Sequence, residues 1–292
     1  MSGWVLGVIG GSGVYDIDGL EDARWESIES TVGEPSDQVL TGRLGHVRLV
    51  FLPRHGRGQK LPPTDVNARA NIDILKRAGC TDVISLSAVG SLREALAPGD
   101  FVVVDQFIDR TFAREKSFFG PGLTAHVSMA QPVCPRISAM AAAAGRAAGA
   151  RIVEGGCYLA MEGPQFSTQA ESALYRSWGC DVIGMTNMPE AKLAREAELP
   201  YASVAMVTDY DCWHEEFAHV DVASILAIMS GNAGKARELV RHLALSLPAT
   251  RSPSPIDTCL DGALITAPSA RDPAVVARLS AIAGRALKGN PA

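Results

Sequence analysis

The strongest constraint on this chain is an alternation of short β-branched, apolar runs with longer segments of helical period. Residues 5–9, 47–52, 82–86, 101–106, 181–185 and 201–207 read as strands. Between them, residues 67–78, 136–148, 168–178, 189–197 and 222–245 read as helices, several ending near a glycine. That alternation specifies an α/β protein with a largely parallel or mixed sheet. With 292 residues, 47% of them hydrophobic, the chain can bury a large core. From about residue 249 the composition becomes Pro/Ser-rich before a helical pattern at 273–287, so the expected organisation is a main domain over 1–248 and a C-terminal extension, linker plus helix, over 249–292.

Composition removes several function classes. The net charge is −5 with 20% charged residues and no dense Lys/Arg run, which disfavours a nucleic-acid partner. No stretch approaches the roughly 20 uninterrupted apolar residues of a membrane helix, and residues 1–13 lack the basic start of a signal peptide. The expected compartment is the cytoplasm, with no membrane partner. The six cysteines (Cys80, Cys134, Cys157, Cys180, Cys212, Cys259) form no CxxC and no Cys/His cluster, so neither a disulfide scaffold nor a metal site is expected.

Ligands of open α/β sheets collect outside the carboxyl ends of the strands, which turns the strand list into a search list. Glycines at 10, 11 and 13 surround Ser12 and suit either a plain strand-ending turn or an anion-binding one. The same stretch lacks the last glycine of a dinucleotide fingerprint, and no Gly-Lys-Ser/Thr follows it. After the next strand come Arg54 and His55, a planar guanidinium fork suited to phosphate and a second donor. Ser87 follows a third strand and Thr186 a fourth, each with the alternative of being only a turn cap. Hydroxyls, backbone N–H groups and one Arg, without metal ligands nearby, describe a site for free phosphate. Phe166 stands between a Gly-Pro turn and a helix start, where a ring could stack on a heterocyclic base or join the core.

Asp209 and Asp211 lie two residues apart at the end of the last strand, so in extended conformation both carboxylates project to one side. Such pairs are common as turn caps. One protonated and one ionised carboxyl would also match the N7 and 6-amino edge of a purine.

The segments GVIGGSGVYDI, PRHGRG, VNARANI, SAVGSLRE, DQFIDRT, MEGPQFSTQAES, GMTNMPEA and VTDYDCW resemble, in order and spacing from Val5 to Leu245, the methylthioadenosine phosphorylases of the trimeric purine nucleoside phosphorylase superfamily. The resemblance implies a single α/β domain with a twisted mixed sheet partly closed into a barrel, assembled as a homotrimer. It implies phosphorolysis of 5'-methylthioadenosine to adenine and 5-methylthioribose 1-phosphate in purine and methionine salvage, with phosphate as co-substrate and no metal or organic cofactor. It assigns phosphate binding to Ser12, Arg54, His55, Ser87, Ala88 and Thr186, with Ser87 where many relatives carry Thr. Met185 would serve the ribose, Phe166 and Ser167 the base, and Asp209 and Asp211 the purine edge, with Asp209 as the acid. Val222, Ile225 and Leu226 would form the methylthio pocket, with His126 from a neighbouring subunit. The same superfamily offers 6-oxopurine and methylthioinosine phosphorylases and a water-using nucleosidase as alternatives, and a non-catalytic purine binder would share the fold.

Overall fold

One strand, β5, organises the sheet by pairing with three others. The structure, a computed structural model, describes residues 3–11, 13–214 and 222–288, with only the backbone of 222–227. Among the described residues the strands are β1 (Val5–Gly10), β2 (Glu21–Glu26), β3 (Val39–Leu44), β4 (Val47–Pro53), β5 (Asp82–Ser91), β6 (Phe101–Val104), β7 (Gln106–Asp109), β8 (Ile152–Glu154), β9 (Cys157–Ala160), β10 (Val182–Gly184) and β11 (Tyr201–Asp209). The first half of β5 runs parallel to β1, its far end antiparallel to β10, and its other edge parallel to β11. The sheet therefore forks: β11–β6–β8 form one branch and β10–β9–β7 the other. It is a mixed sheet in one domain, flanked by helices α1 (Ala68–Arg77), α2 (Pro135–Ala147), α3 (Gln169–Ser177), α4 (Asn187–Glu196), α5 (Val222–Ser246), α6 (Pro273–Arg278) and α7 (Ser280–Lys288).

The fork explains where the structure departs from sequence expectation. Residues 101–106 do not form one strand: β6 belongs to the β11 branch and β7 to the β9 branch, so the chain changes branch at Asp105. β5 does not end at residue 86 but continues to Ser91, because its second half has both β10 and β11 to pair with. β2, β3, β8 and β9 are strands that the sequence reading did not include. β2, Glu-Asp-Ala-Arg-Trp-Glu, is an exposed edge strand, and β8 has only three residues.

Alternate residues of the strands feed opposite faces of the sheet. Ile9, Val50, Leu52 and Val83 pack in one apolar cluster, and Leu6, Val8, Leu49, Phe51 and Ile84 in the other. Helix starts carry local signals: Asn67 accepts from the Ala70 N–H at 3.0 Å, and Thr168 with Glu171 forms a capping box. The C-terminal extension lies against the main domain, with Leu260, Leu279, Ile282 and Ala283 buried in the first cluster. Arg285 reaches Glu198 at 2.6 Å, and Arg251 ties Asp82 (2.5 Å) to Asp257 (2.7 Å). No helix among the described residues is long and apolar enough to cross a membrane.

One buried carboxylate fixes the loops that become the cavity wall. Glu162 accepts from the Thr64 hydroxyl (2.7 Å), the Phe112 and Ala113 N–H groups (2.6 and 3.0 Å) and Arg114 Nε (2.8 Å). Arg114 in turn donates to the carbonyls of Met185 (2.7 Å) and Met188 (2.8 Å). Burial alone would raise the Glu162 pKa, but these donors bring it down to about 2. Glu162→Ala leaves Arg114 buried without its partner and should cost about 3–5 kcal/mol of unfolding free energy in a urea titration. A carboxyl held below its unfolded value stabilises above that value, so the gap between wild type and Glu162→Gln should narrow as pH falls from 4.5 toward about 2.

Candidate active site

Because β1, β4, β5 and β11 run parallel, with Gly10 beside Pro53, Ile9 beside Ser85, and Ser85 beside Ser203, their carboxyl ends open on one crevice. A cavity of about 600 Å³ occupies it, a size typical of small-molecule sites. Arg54, His55, Ser87, Ala88, Phe166, Met185, Thr186, Asp209 and Asp211 all line this cavity, with Gly11 of the first glycine turn. Ser87 lies inside β5 rather than beyond its end. Phe166 is about half exposed (49%) at the cavity wall, free to meet a flat ligand. Gly90 leaves room here for the aspartate: a Cβ on it would sit 2.9 Å from Asp209 Oδ1 and displace that carboxylate.

The remaining sequence candidates fall elsewhere. Ser167 sits behind the aspartates, its carbonyl accepting from the Cys212 thiol at 3.3 Å. His126 is exposed, its N–H donating to the Ala263 carbonyl at 3.0 Å, and does not line its own chain's cavity. Ser12 and the side chains of Val222, Ile225 and Leu226 lie outside the described residues. Farther along α5, Met229, Asn232 and Ala233 reach the cavity.

Beneath the cavity lies a buried polar network that the sequence reading did not find. Arg54 is 3% exposed and donates through Nε to Glu190 Oε2 (2.9 Å), through Nη2 to Ser85 Oγ (2.6 Å) and Glu190 Oε1 (3.3 Å), and through Nη1 to the Leu86 carbonyl (3.0 Å). Described residues thus take four of its five N–H donors, leaving one at Nη1. Ser85 and Tyr201 also donate to Glu190 Oε1, at 2.6 and 2.7 Å. Asn187 donates to Tyr201 (2.7 Å) and Ser203 (2.8 Å), and its Oδ1 accepts from the hydroxyls of Ser87 (2.9 Å) and Thr186 (3.3 Å). Two hydroxyls that line the cavity, those of Ser87 and Thr186, are thereby held by one amide. Neither Glu190 nor Asn187 betrays itself in sequence, because their partners lie far off in the chain and only the parallel register brings them together.

At the other end, the aspartates occupy a turn. Asp211 has φ +53°, and its N–H donates to Asp209 Oδ1 at 2.8 Å. Thr208 donates to Asp209 Oδ2 at 2.7 Å. Asp211 Oδ2 is buried with no hydrogen-bond partner among the described residues. Burial raises the Asp211 carboxyl to about 6; the nearby Ser172 hydroxyl, outside hydrogen-bond geometry, tempers the rise, and the Asp209 charge adds to it. Burial raises Asp209 too, against the Thr208 hydroxyl and the Asp211 N–H, which favour its ionised form. The pair can hold one proton near neutral pH. A carboxyl-resolved NMR titration should show Asp211 titrating near 6, and Asp209→Asn should lower that midpoint by removing the neighbouring charge. A midpoint near 4 in the wild type would contradict the geometry.

These features agree with what comparison finds. A family model described as the phosphorylase superfamily matches residues 5–244. An S-methyl-5'-thioadenosine phosphorylase of Cereibacter sphaeroides is 63% identical over 287 residues, covering 98% of this chain and 99% of the relative. One of Rhodospirillum rubrum is 59% identical over 296 residues, covering 97% of each. A solved methylthioadenosine phosphorylase from an antarctic soil metagenomic library superposes with a TM-score of 0.91 at 42% identity, over 97% of this chain and 99% of that one. The Schistosoma mansoni methylthioadenosine phosphorylase, solved with adenine, superposes at 0.76 and 36% identity, over 83% of this chain and 91% of that one. The chain belongs to the phosphorylase superfamily, in the family of the methylthioadenosine phosphorylases.

Proposed function

We propose that this chain transfers the 5-methylthioribosyl group of S-methyl-5'-thioadenosine to inorganic phosphate, releasing adenine and 5-methylthioribose 1-phosphate. The observation that carries this reading is a single cavity with an Arg/hydroxyl end and an aspartate-pair end. Phosphate would be held by the remaining Arg54 N–H, the hydroxyls of Ser87, Thr186 and Ser12, His55, and the backbone at Ala88. On binding, one of the Ser87 and Thr186 hydrogens would turn from Asn187 Oδ1 toward the anion while the other keeps that buried oxygen paired. Met185 would meet the ribose and Phe166 the base, with Ser167 close by.

Adenine is a poor leaving group as an anion. A carboxyl of the aspartate pair that gives a proton to N7 while the other accepts from the 6-amino group removes that obstacle. As the glycosidic bond lengthens, cationic charge grows on the sugar, and the phosphate beneath both balances it and attacks the anomeric carbon. An ionised carboxylate at the same position would repel the O6 of a 6-oxopurine, which disfavours inosine-type substrates. No metal or organic cofactor enters this scheme.

The methylthio group would lie against α5, where the sequence puts Val222, Ile225 and Leu226 and the structure adds Met229. The same proposal includes a homotrimer, in which the exposed His126 would complete a neighbour's site, and a cytoplasmic compartment, which suits six free cysteines.

A substrate panel tests the reading. Adenine release from methylthioadenosine should require phosphate, and methylthioinosine should be a poor substrate; equal release without phosphate would contradict it. 5'-Deoxyadenosine should also be cleaved, because an apolar pocket selects against polarity rather than for sulfur. Asp209→Asn and Asp211→Asn should each lower kcat/KM by about 10²–10⁴-fold, the usual worth of general acid catalysis.

A further inference from the structure

Helix α3 turns one face toward the aspartate turn. Ser172, Tyr175 and Arg176 stand at i, i+3 and i+4 along it and so share that face. Arg176 stacks on Trp213, 3.7 Å from the ring centre, and its Nε donates to the Leu92 carbonyl at 3.2 Å. Tyr175 packs with Ile183 and Trp213 in a third apolar cluster. The segment leading into the helix is tied to the same turn, where the Cys212 thiol donates to the Ser167 carbonyl at 3.3 Å. Ser172 lies one turn before Arg176 on this face, wholly buried, beside Asp211 and Cys212.

Two polar atoms are left over where α3 meets the turn. Ser172 Oγ and Asp211 Oδ2 are both buried, and neither has a hydrogen-bond partner among the described residues. A buried polar atom without a partner is costly, and two that adjoin relieve each other by pairing, for which a side-chain rotation suffices. The other hydroxyls nearby are engaged: Ser167 Oγ donates to the Met161 sulfur at 3.7 Å, and Thr208 to Asp209 at 2.7 Å.

We infer that Ser172 is a positioning residue for the aspartate pair: its hydroxyl donates to Asp211 Oδ2, which leaves Oδ1 to carry the proton for the departing base. This rests on the phosphorolysis reading and deepens it, since Ser172 acts only through Asp211 and touches neither substrate nor phosphate. In the step, the Asp211 O–H bond breaks, its proton bonds to adenine N7, and the C–N9 electron pair moves onto the base. The hydrogen of Ser172 stays on its own oxygen. Its bond to Oδ2 becomes charge-assisted as the carboxylate forms, so it strengthens toward the transition state.

Burial is the main cause of the raised Asp211 pKa, and the Asp209 charge adds to it, while the Ser172 and Ser167 hydroxyls and the Cys212 N–H oppose it. Burial also raises the Tyr175 phenol and the Cys212 thiol, so both stay neutral where Asp211 titrates. Arg176 is occupied by Trp213 and Leu92. Among the described groups at this junction, the Ser172 hydroxyl is therefore the one free to answer the charge on Oδ2.

A carboxyl-resolved NMR titration without ligand reads this bond independently of turnover. Ser172→Ala should move the Asp211 midpoint up by about one unit, the worth of a hydrogen bond to a charged group. Ser172→Thr keeps the hydroxyl and should stay near wild type. Ser177→Ala removes a hydroxyl that donates to the Leu174 carbonyl within α3, and should leave the midpoint unmoved. In turnover, Ser172→Ala should lower kcat about 10-fold with an unchanged KM for phosphate, and the high-pH limb of kcat/KM should move up with the midpoint. An unmoved midpoint in Ser172→Ala, or the same shift in Ser172→Thr or Ser177→Ala, would overturn the inference. The expected shift, found together with adenine release that needs no phosphate, would instead overturn the proposed reaction.

Discussion

The site depends on one buried ion pair, Arg54 with Glu190, 2.9 Å apart and each less than 5% exposed. Burying two charges is costly unless their attraction and further hydrogen bonds offset the lost hydration. Here Ser85, Tyr201 and the Leu86 carbonyl supply those bonds. The consequence is geometric. Arg54 follows β4, Ser85 and Leu86 lie in β5, Glu190 in α4 and Tyr201 in β11, so the pair locks four elements at the point where the strands open. Asn187, joined to the same network, then presents the Ser87 and Thr186 hydroxyls at fixed positions. A floor held in this way costs little reorganisation when an anion arrives, and preorganisation is where such sites gain most of their rate.

The two ends of the cavity solve opposite electrostatic problems. At the end proposed for phosphate, Glu190 cancels much of the Arg54 charge, and burial and the Arg54 charge lower the His55 pKa, so an anion bound there would meet directed donors more than bare positive charge. At the end proposed for the base, burial raises both carboxyls, and Asp211, whose Oδ2 has no partner among the described residues, rises to about 6. That places a carboxyl able to exchange a proton near neutral pH where the proposed leaving group would need one. The sequence reading chose Asp209 as the acid; in the structure both Asp209 oxygens accept hydrogen bonds while Asp211 Oδ2 has no partner among the described residues, which favours the proton on Asp211.

Much of this was legible in the chain because the informative residues sit in local patterns. The β1, β4 and β11 runs, the helix starts at 67 and 168, the Arg54-His55 step and the Asp209/Asp211 spacing are short-range signals, and the cavity gathers the last two. What sequence could not carry was register. Ser85, Glu190, Asn187 and Tyr201 look unremarkable one by one and acquire meaning only when β5 and β11 align Ser85 with Ser203. The same holds for Glu162, whose four donors come from two distant segments, Thr64 and residues 112–114. The fork in the sheet was hidden because a single strand with three partners leaves no mark on its own periodicity, and the exposed β2 was hidden because its residues are charged.

The central claim is that phosphate, not water, receives the sugar. Phosphorus NMR of the enzyme with methylthioadenosine and phosphate reads this directly. The account predicts that a new phosphate monoester resonance grows in step with adenine, one for one, as the inorganic phosphate signal declines. Adenine accumulating beside an unchanged phosphate signal, with free methylthioribose as the second product, would contradict it.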